Sequence, residues 1–446
     1  MSSLILEKSI IKIKKLISVR NSAVKKNFLA LSVLQITNYI FPLITIPYIS
    51  RIFGPDIYGL LNFAISILAY FMLIVNYGFD LSASRDIAQN RDDRQKVNEI
   101  FNNVFFSKLF LYVVATVIFL IVLFTVNKIY SHKTLYLIMF FGGLFNIFFP
   151  TWYFQGIEKL TFTAYFTFII RFIFTVLIFL LIKTKEDYLL YPVATICGQV
   201  LVSTVAMYLV TKQFGIVLRI PKLKEILKTI KESWRIFATT VVINLYTTTN
   251  IVLLGFLAGN YEVGIYSAAY KVVTIFMNIL STPLAQALYP NIGYSFSISY
   301  NDGINKIYKA LKYIIPMTLI PSLTLFLFPR VFITLLFGEK FINAIQTLRI
   351  LSFIPLIIGL SNIFGIQGLL NLKKDNYVYG ITIVGAIIGI SLNFLLVPVY
   401  KQNGTAISWL ITEIIITLLM FYAFLKITKL SINVKTVFFS TKIKGN

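Results

Sequence analysis

Apolar runs of about 20 residues, broken by short polar stretches, recur roughly twelve times along this chain. A helix rises 1.5 Å per residue and the hydrocarbon core of a bilayer is about 30 Å thick, so each run has the length of one crossing. No soluble fold can use such a pattern. Hydrophobic residues make up 58% of the 446, charged residues 13%, and the mean hydropathy is +0.82, which leaves too little polar surface to face water. The expected fold class is therefore all-α: a polytopic membrane protein of about twelve transmembrane helices. The spans are expected near 28–50, 59–79, 104–126, 134–154, 163–182, 189–211, 236–258, 265–288, 311–337, 344–370, 377–398 and 404–425.

The formal charge is +24, from 41 Lys and Arg against 17 Asp and Glu. In a soluble chain that excess would suggest nucleic acid. Here its placement matters more. With the N-terminus inside, the basic residues concentrate in 1–27, 80–103, 212–235 and the C-terminal tail, while the alternate loops carry only scattered ones such as Arg51, Lys128 and Lys401. That bias follows the positive-inside rule and predicts cytoplasmic termini, with no nucleic-acid partner. Residues 1–27 interleave Lys8, Lys12, Lys14, Lys15 and Arg20 with Ile10, Ile11, Ile13, Leu16 and Ile17, the pattern of a basic amphipathic helix lying on the inner leaflet.

The basic segment 212–235 divides the spans six and six. The expected organisation is an N-terminal tail (1–27), an N-lobe (28–211), a cytoplasmic linker (212–235), a C-lobe (236–427) and a C-terminal tail (428–446), with the two lobes around a central cavity. The halves also align at an offset of 205 residues: Gly54-Pro-Asp-Ile-Tyr-Gly59 lies against Gly259-Asn-Tyr-Glu-Val-Gly264, each at the turn between the first and second span of its half. Internal repeats recur in transporters. Gly385 and Gly389 form a GxxxG pair suited to close helix packing.

Polar side chains at bilayer depth are costly and mark either helix packing or a wet cavity. Asn38 in the first span and Asn244, Thr248 and Asn250 in the seventh are candidates to line such a cavity, with Gln35, Asn278, Gln286, Asn362 and Gln367 elsewhere. Three charges lie deeper. Arg171 is near mid-span, Lys271 is seven residues beyond Gly264 and so about 10 Å from that end, and Glu413 is a carboxylate set in the apolar run 404–425. One alternative is an ion pair between these groups. Two cations against one acid favour the other, an anionic ligand at Arg171 and Lys271 with Glu413 as a protonatable coupling site. Nothing points to an enzyme, a metal or a cofactor: the chain has one cysteine (Cys197), one histidine (His132), no glycine-rich nucleotide loop and no triad.

The run from Asn38 through Pro47-Tyr-Ile-Ser-Arg-Ile-Phe-Gly-Pro-Asp-Ile-Tyr-Gly59, then Asn76-Tyr-Gly-Phe-Asp80-Leu-Ser-Ala-Ser-Arg85, resembles the polysaccharide-transport flippases of the multidrug/oligosaccharidyl-lipid/polysaccharide superfamily. Trp152-Tyr-Phe-Gln-Gly-Ile-Glu158 and Pro283-Leu-Ala-Gln-Ala-Leu-Tyr-Pro290 fit the same pattern, so the likeness covers most of the chain. The resemblance implies two six-helix lobes around a central cavity. It also implies alternating-access transfer of an undecaprenyl-pyrophosphate-linked oligosaccharide, an O-antigen or capsule repeat unit, across the bacterial inner membrane. Membrane lipids, a polysaccharide polymerase and a chain-length regulator would be partners. Lipid II flippases of the superfamily carry several arginines on the first helix and two additional helices. This chain has no arginine between Lys26 and Arg51, which argues against lipid II. A multidrug or cation exporter of the same superfamily is the alternative, disfavoured by the single deep carboxylate. A membrane-bound glycan polymerase is a third, disfavoured by short outer loops.

Overall fold

The computed structural model describes the backbone of residues 2–428 and the side chains from Thr37 onward, except those of 38–39, 160, 239, 242–243, 245–247 and 278–287. Residues 429–446 of the C-terminal tail and the side chains of the N-terminal tail, of Gln35 and Asn38 in the first span and of Asn278 and Gln286 lie outside the described residues. Every regular element among the described residues is helical. Among the described residues eight helices are long and apolar enough to cross a membrane by length and composition, and the two longest stretches each contain a break that makes a pair of rods. The all-α polytopic expectation holds.

The apolar surface has the character of a protein solvated by lipid. Along Arg94–Thr125, Phe110, Val113, Val117, Ile121 and Phe124 are exposed, while Leu111, Tyr112, Ala115, Phe119 and Leu123 are buried. Both faces are apolar, one for hydrocarbon and one for the core.

Glycine and proline mark several helix ends and bends. Gly54, Gly259 and Gly338 take nearly one conformation (φ/ψ 69/−179°, 114/178° and 85/174°), a region essentially reserved for glycine. Pro150 precedes Thr151–Gly156, and Pro355 sits in the first turn of Ile354–Asn362. Pro316 and Pro321 lie inside Tyr300–Leu327.

Several boundaries differ from the sequence reading. Residues expected as loop in 80–103 form the helix Phe79–Gln89 and the start of Arg94–Thr125. The linker 212–235 already contains the first turns of Leu223–Leu257. Residues 291–312 are helical apart from a break at Ser299, the N-cap of the next helix. Hydropathy marks where hydrocarbon ends, but a helix continues into water wherever caps and propensity allow.

The chain forms two compact units. One holds the described residues up to Thr45 together with Tyr70–Thr240; the other holds Ile46–Ala69 and the residues from Val241 onward. In the first, Asn98 and Asn102 of Arg94–Thr125 clasp an extended segment: Val217 N–H donates to Asn98 Oδ1 (2.7 Å), Arg219 N–H to Asn102 Oδ1 (2.9 Å), and Asn102 Nδ2 to Val217 O (2.9 Å). Ser82 and Ser233 share a hydrogen bond of 3.2 Å, and Tyr77 stacks on Phe237 at 4.2 Å.

The second unit is organised by a helical hairpin within Asp375–Thr428, turned at Lys401 (φ 50°, ψ −127°). A methyl on Gly385 would strike Ile416, one on Gly389 would meet Thr412 at 3.3 Å, and Asn393 donates to Ser408, so the two arms run antiparallel in close register. This is the close packing expected of the GxxxG pair. Gly385→Leu should overpack that seam and destabilise the detergent-solubilised protein by about 1–3 kcal/mol. Gly380→Ala, where no atom lies within 4 Å, should leave its thermal midpoint unchanged.

Candidate functional site

The hairpin's close approach creates a buried polar seam. Asn393 is fully buried and its amide donates to Asn250 Oδ1 (2.8 Å), Gly389 O (2.8 Å) and Ser408 Oγ (3.0 Å). Ser408 in turn donates to Gly389 O at 3.0 Å, and Thr412 to Ser408 O at 2.7 Å. One asparagine thus meets a backbone carbonyl, a hydroxyl and a second asparagine from Leu223–Leu257. Asn393 Oδ1 is left without a hydrogen-bond partner. Beside it a cavity of about 10 Å³ is lined by Thr249, Asn250, Gly389, Trp409 and Thr412, among others. That is the room of one water molecule at most.

Glu413 is one turn away on the same arm. It is 4% exposed and accepts a hydrogen bond from Trp409 Nε1 at 3.1 Å. The spacing is i, i+4, which puts the two side chains on one helix face. The Trp409 ring lies 5.3 Å from that of Tyr270 on Asn260–Ile298, and Lys271 is the next residue.

The sequence candidates therefore separate. Asn250 and Glu413 belong to one continuous polar and aromatic seam, and Lys271 is half-buried on the helix that packs against it. Asn244 and Thr248 are half-buried on the Asn250 helix, though Thr249, not Thr248, lines the small cavity. Arg171 belongs to the other compact unit, half-buried on Leu160–Leu181 near Tyr191, with its carbonyl accepting from Thr175 at 2.8 Å. His132, outside the spans, is held below the ordinary imidazole range, first by burial and then by Lys128. Among the described residues no cluster of three metal-ligating side chains occurs.

The structure adds a buried ion pair within an apolar helix. Lys108, 4% exposed, extends Nζ to Asp80 Oδ1 (2.9 Å) and Asn76 Oδ1 (3.4 Å). Its burial in an apolar span demanded a counter-charge. The partner was hidden because 28 residues and a chain reversal separate the two. Asn393, Ser408 and Trp409 were also missed, although the i, i+4 relation of Trp409 to Glu413 was available from spacing alone.

The profile of a family described as "Polysaccharide biosynthesis protein" matches residues 24–296, more than half of the chain. The chain belongs to that family. A protein of Escherichia coli (strain K12) named "Putative O-antigen transporter" is 30% identical to this family member over 399 residues, 89% of this chain and 96% of the relative. An inward-facing multidrug resistance MATE family transporter of the MOP superfamily superposes with a TM-score of 0.74 at 14% identity, covering 90% of this chain and 98% of the other. The lipid II flippase MurJ, in an inward closed conformation, gives a TM-score of 0.67 at 13% identity, covering 90% of each. These two structural neighbours establish the fold: this member of the polysaccharide biosynthesis family has the architecture of MOP-superfamily transporters.

The Lys108–Asp80 pair is asymmetric, because the Asp80 side chain is 51% exposed and that of Lys108 only 5%. Asp80→Asn strands a buried ammonium and should destabilise the protein by about 2 kcal/mol, less than for a fully buried pair. Lys108→Met leaves a carboxylate that water can reach and should cost under about 1 kcal/mol. Equal losses in thermal unfolding would contradict this reading.

Proposed function

We propose that the chain is a flippase that carries a lipid-linked oligosaccharide from the cytoplasmic to the outer leaflet of a bacterial inner membrane, with both termini in the cytoplasm. The observation that carries this reading is relatedness over nearly the whole length of a protein named "Putative O-antigen transporter". The basic bias of 1–27, 80–103 and 212–235 supports the orientation.

The substrate has three chemical parts, and each needs a different environment. Its pyrophosphate is anionic, and Arg171 and Lys271 are the cations proposed to meet it. Its sugars are met by amides and hydroxyls, with Asn38, Asn244, Thr248 and Asn250 as the contacts. Its polyprenyl tail stays in lipid. Glu413 is the coupling group: a carboxylate buried on the same seam as Asn250, able to change protonation as its surroundings alternate between dry and wet. A polymerase and a chain-length regulator that receive the product are the expected protein partners.

In cells that lack the native protein, Arg171→Ala combined with Lys271→Ala should abolish surface polysaccharide while the variant's level in membranes stays unchanged. Normal surface glycan in that strain refutes the site. Glu413→Gln keeps an oxygen for Trp409 Nε1 but cannot titrate. It should lower the rate of surface polysaccharide assembly at least tenfold. A wild-type rate would remove Glu413 from the coupling role.

A further inference from the structure

Two basic segments of the sequence, 80–103 and 212–235, come together in the first compact unit and form the walls of an open groove of about 880 Å³. The asparagine clasp sets its shape. Asn98 and Asn102 hold the backbone of Val217 and Arg219, so the extended segment lies along the start of Arg94–Thr125.

The charges of the groove are unequally engaged. Glu99 Oε2 accepts from Lys96 Nζ at 2.9 Å, and Glu225 Oε2 accepts from the Lys222 N–H at 3.0 Å, where it caps the helix that follows. Both carboxylates are thus satisfied from within. Arg94, Arg219 and Lys222 line the same groove, and among the described residues none of their side chains enters an ion pair. Gln95 and Asn103 add amides to the lining. Cations beside amides suit an anion that also carries hydroxyls: Arg and Lys hold phosphate oxygens, and an amide both donates to and accepts from a sugar hydroxyl.

One wall is apolar. Val217 and Ile220 line the groove, Ile220 is 81% exposed, and Leu218 and Leu223 beside it are exposed as well. Such a lip is costly in water but settles into the headgroup boundary of a bilayer. Arg94–Thr125 starts at the groove and continues as an apolar span, so the groove lies beyond the hydrocarbon end of that helix. A cationic, amide-lined groove with an apolar lip at that level fits an amphiphile better than a soluble solute.

We propose that this groove docks the glycosyl-pyrophosphate headgroup of a lipid-linked oligosaccharide on the cytoplasmic leaflet, at a site separate from Arg171 and Lys271. The choice of ligand rests on the flippase reading. Arg94, Arg219 and Lys222 hold the diphosphate, Gln95 and Asn103 meet the first sugar, and the polyprenyl chain passes over Ile220 into lipid.

The test is binding of a fluorescent geranyl-pyrophosphoryl N-acetylglucosamine by the purified full chain in phosphatidylcholine nanodiscs. Arg171→Ala with Lys271→Ala forms the background, so that only the groove is read. In it, Arg94→Gln, Arg219→Gln and Lys222→Gln together should weaken binding about tenfold, the scale of several exposed charge contacts, with an unchanged thermal midpoint. Gln95→Leu should weaken binding of the probe but not of geranyl pyrophosphate, which lacks the sugar. Failure of the background chain to bind the probe, or an affinity untouched by the three glutamines, overturns the site. No difference between the two ligands in the Gln95→Leu chain overturns sugar recognition. Displacement by an equal concentration of uridine diphosphate N-acetylglucosamine would make the ligand a soluble sugar nucleotide, and displacement by an equal fraction of phosphatidylglycerol would make the groove a general site for anionic lipid; either overturns the assignment. The expected binding in a chain that moves no lipid-linked oligosaccharide between leaflets overturns the flippase reading and leaves the docking site standing.

Discussion

Hydrocarbon offers no hydrogen bonds, and that lack governs every polar atom in this protein. A helix satisfies its own backbone, so helices are what the chain forms. A side chain such as Asn393 has no such internal solution and needs neighbours brought to it. Gly385 and Gly389 let the arms of the Asp375–Thr428 hairpin close until Ser408 comes within reach of that amide, and Asn250 is supplied by Leu223–Leu257. Lys108 meets the same requirement with Asp80 and Asn76.

Glycine serves two ends here. Along the hairpin it permits a permanent seam, filled by Ile416 and Thr412 and stitched by buried hydrogen bonds. Between Gly54–Gly59 and Gly259–Gly264 it permits backbone to meet backbone, with Tyr58 packed on Phe337 and Phe341 beside the contact. The surroundings differ: buried amides and hydroxyls in the first, and in the second buried Ser50 and aromatic rings with Arg51 and Lys340 at the exposed rim.

Much of this was legible in the sequence because hydrophobic length is a one-dimensional signal. The spans, the helical class and the paired glycine motifs could be read without knowing any contact. The extended helices at Phe79–Gln89 and Leu223–Leu257 were not, since hydropathy falls where the membrane ends and not where the helix does. Glu413 stood out as a charge among apolar residues, but its neighbours Asn393 and Asn250 come from other turns and other helices. Pairings across 28 residues, as for Lys108 and Asp80, or 143, as for Asn250 and Asn393, exist only once the fold has formed.

The functional account joins a fold shared with MOP-superfamily transporters to cations carried by both compact units and a carboxylate on a dry polar seam. Its central claim is that the whole lipid-linked glycan changes leaflet through this protein. The direct measurement is transfer of a fluorescent polyprenyl-pyrophosphate oligosaccharide in vesicles containing only the purified chain, followed by the fraction that becomes accessible to an added glycosidase. The account predicts accessibility that rises with protein content and is suppressed by excess unlabelled lipid-linked glycan. Accessibility no greater than in protein-free vesicles, with a cationic drug moved by the same vesicles instead, would contradict it.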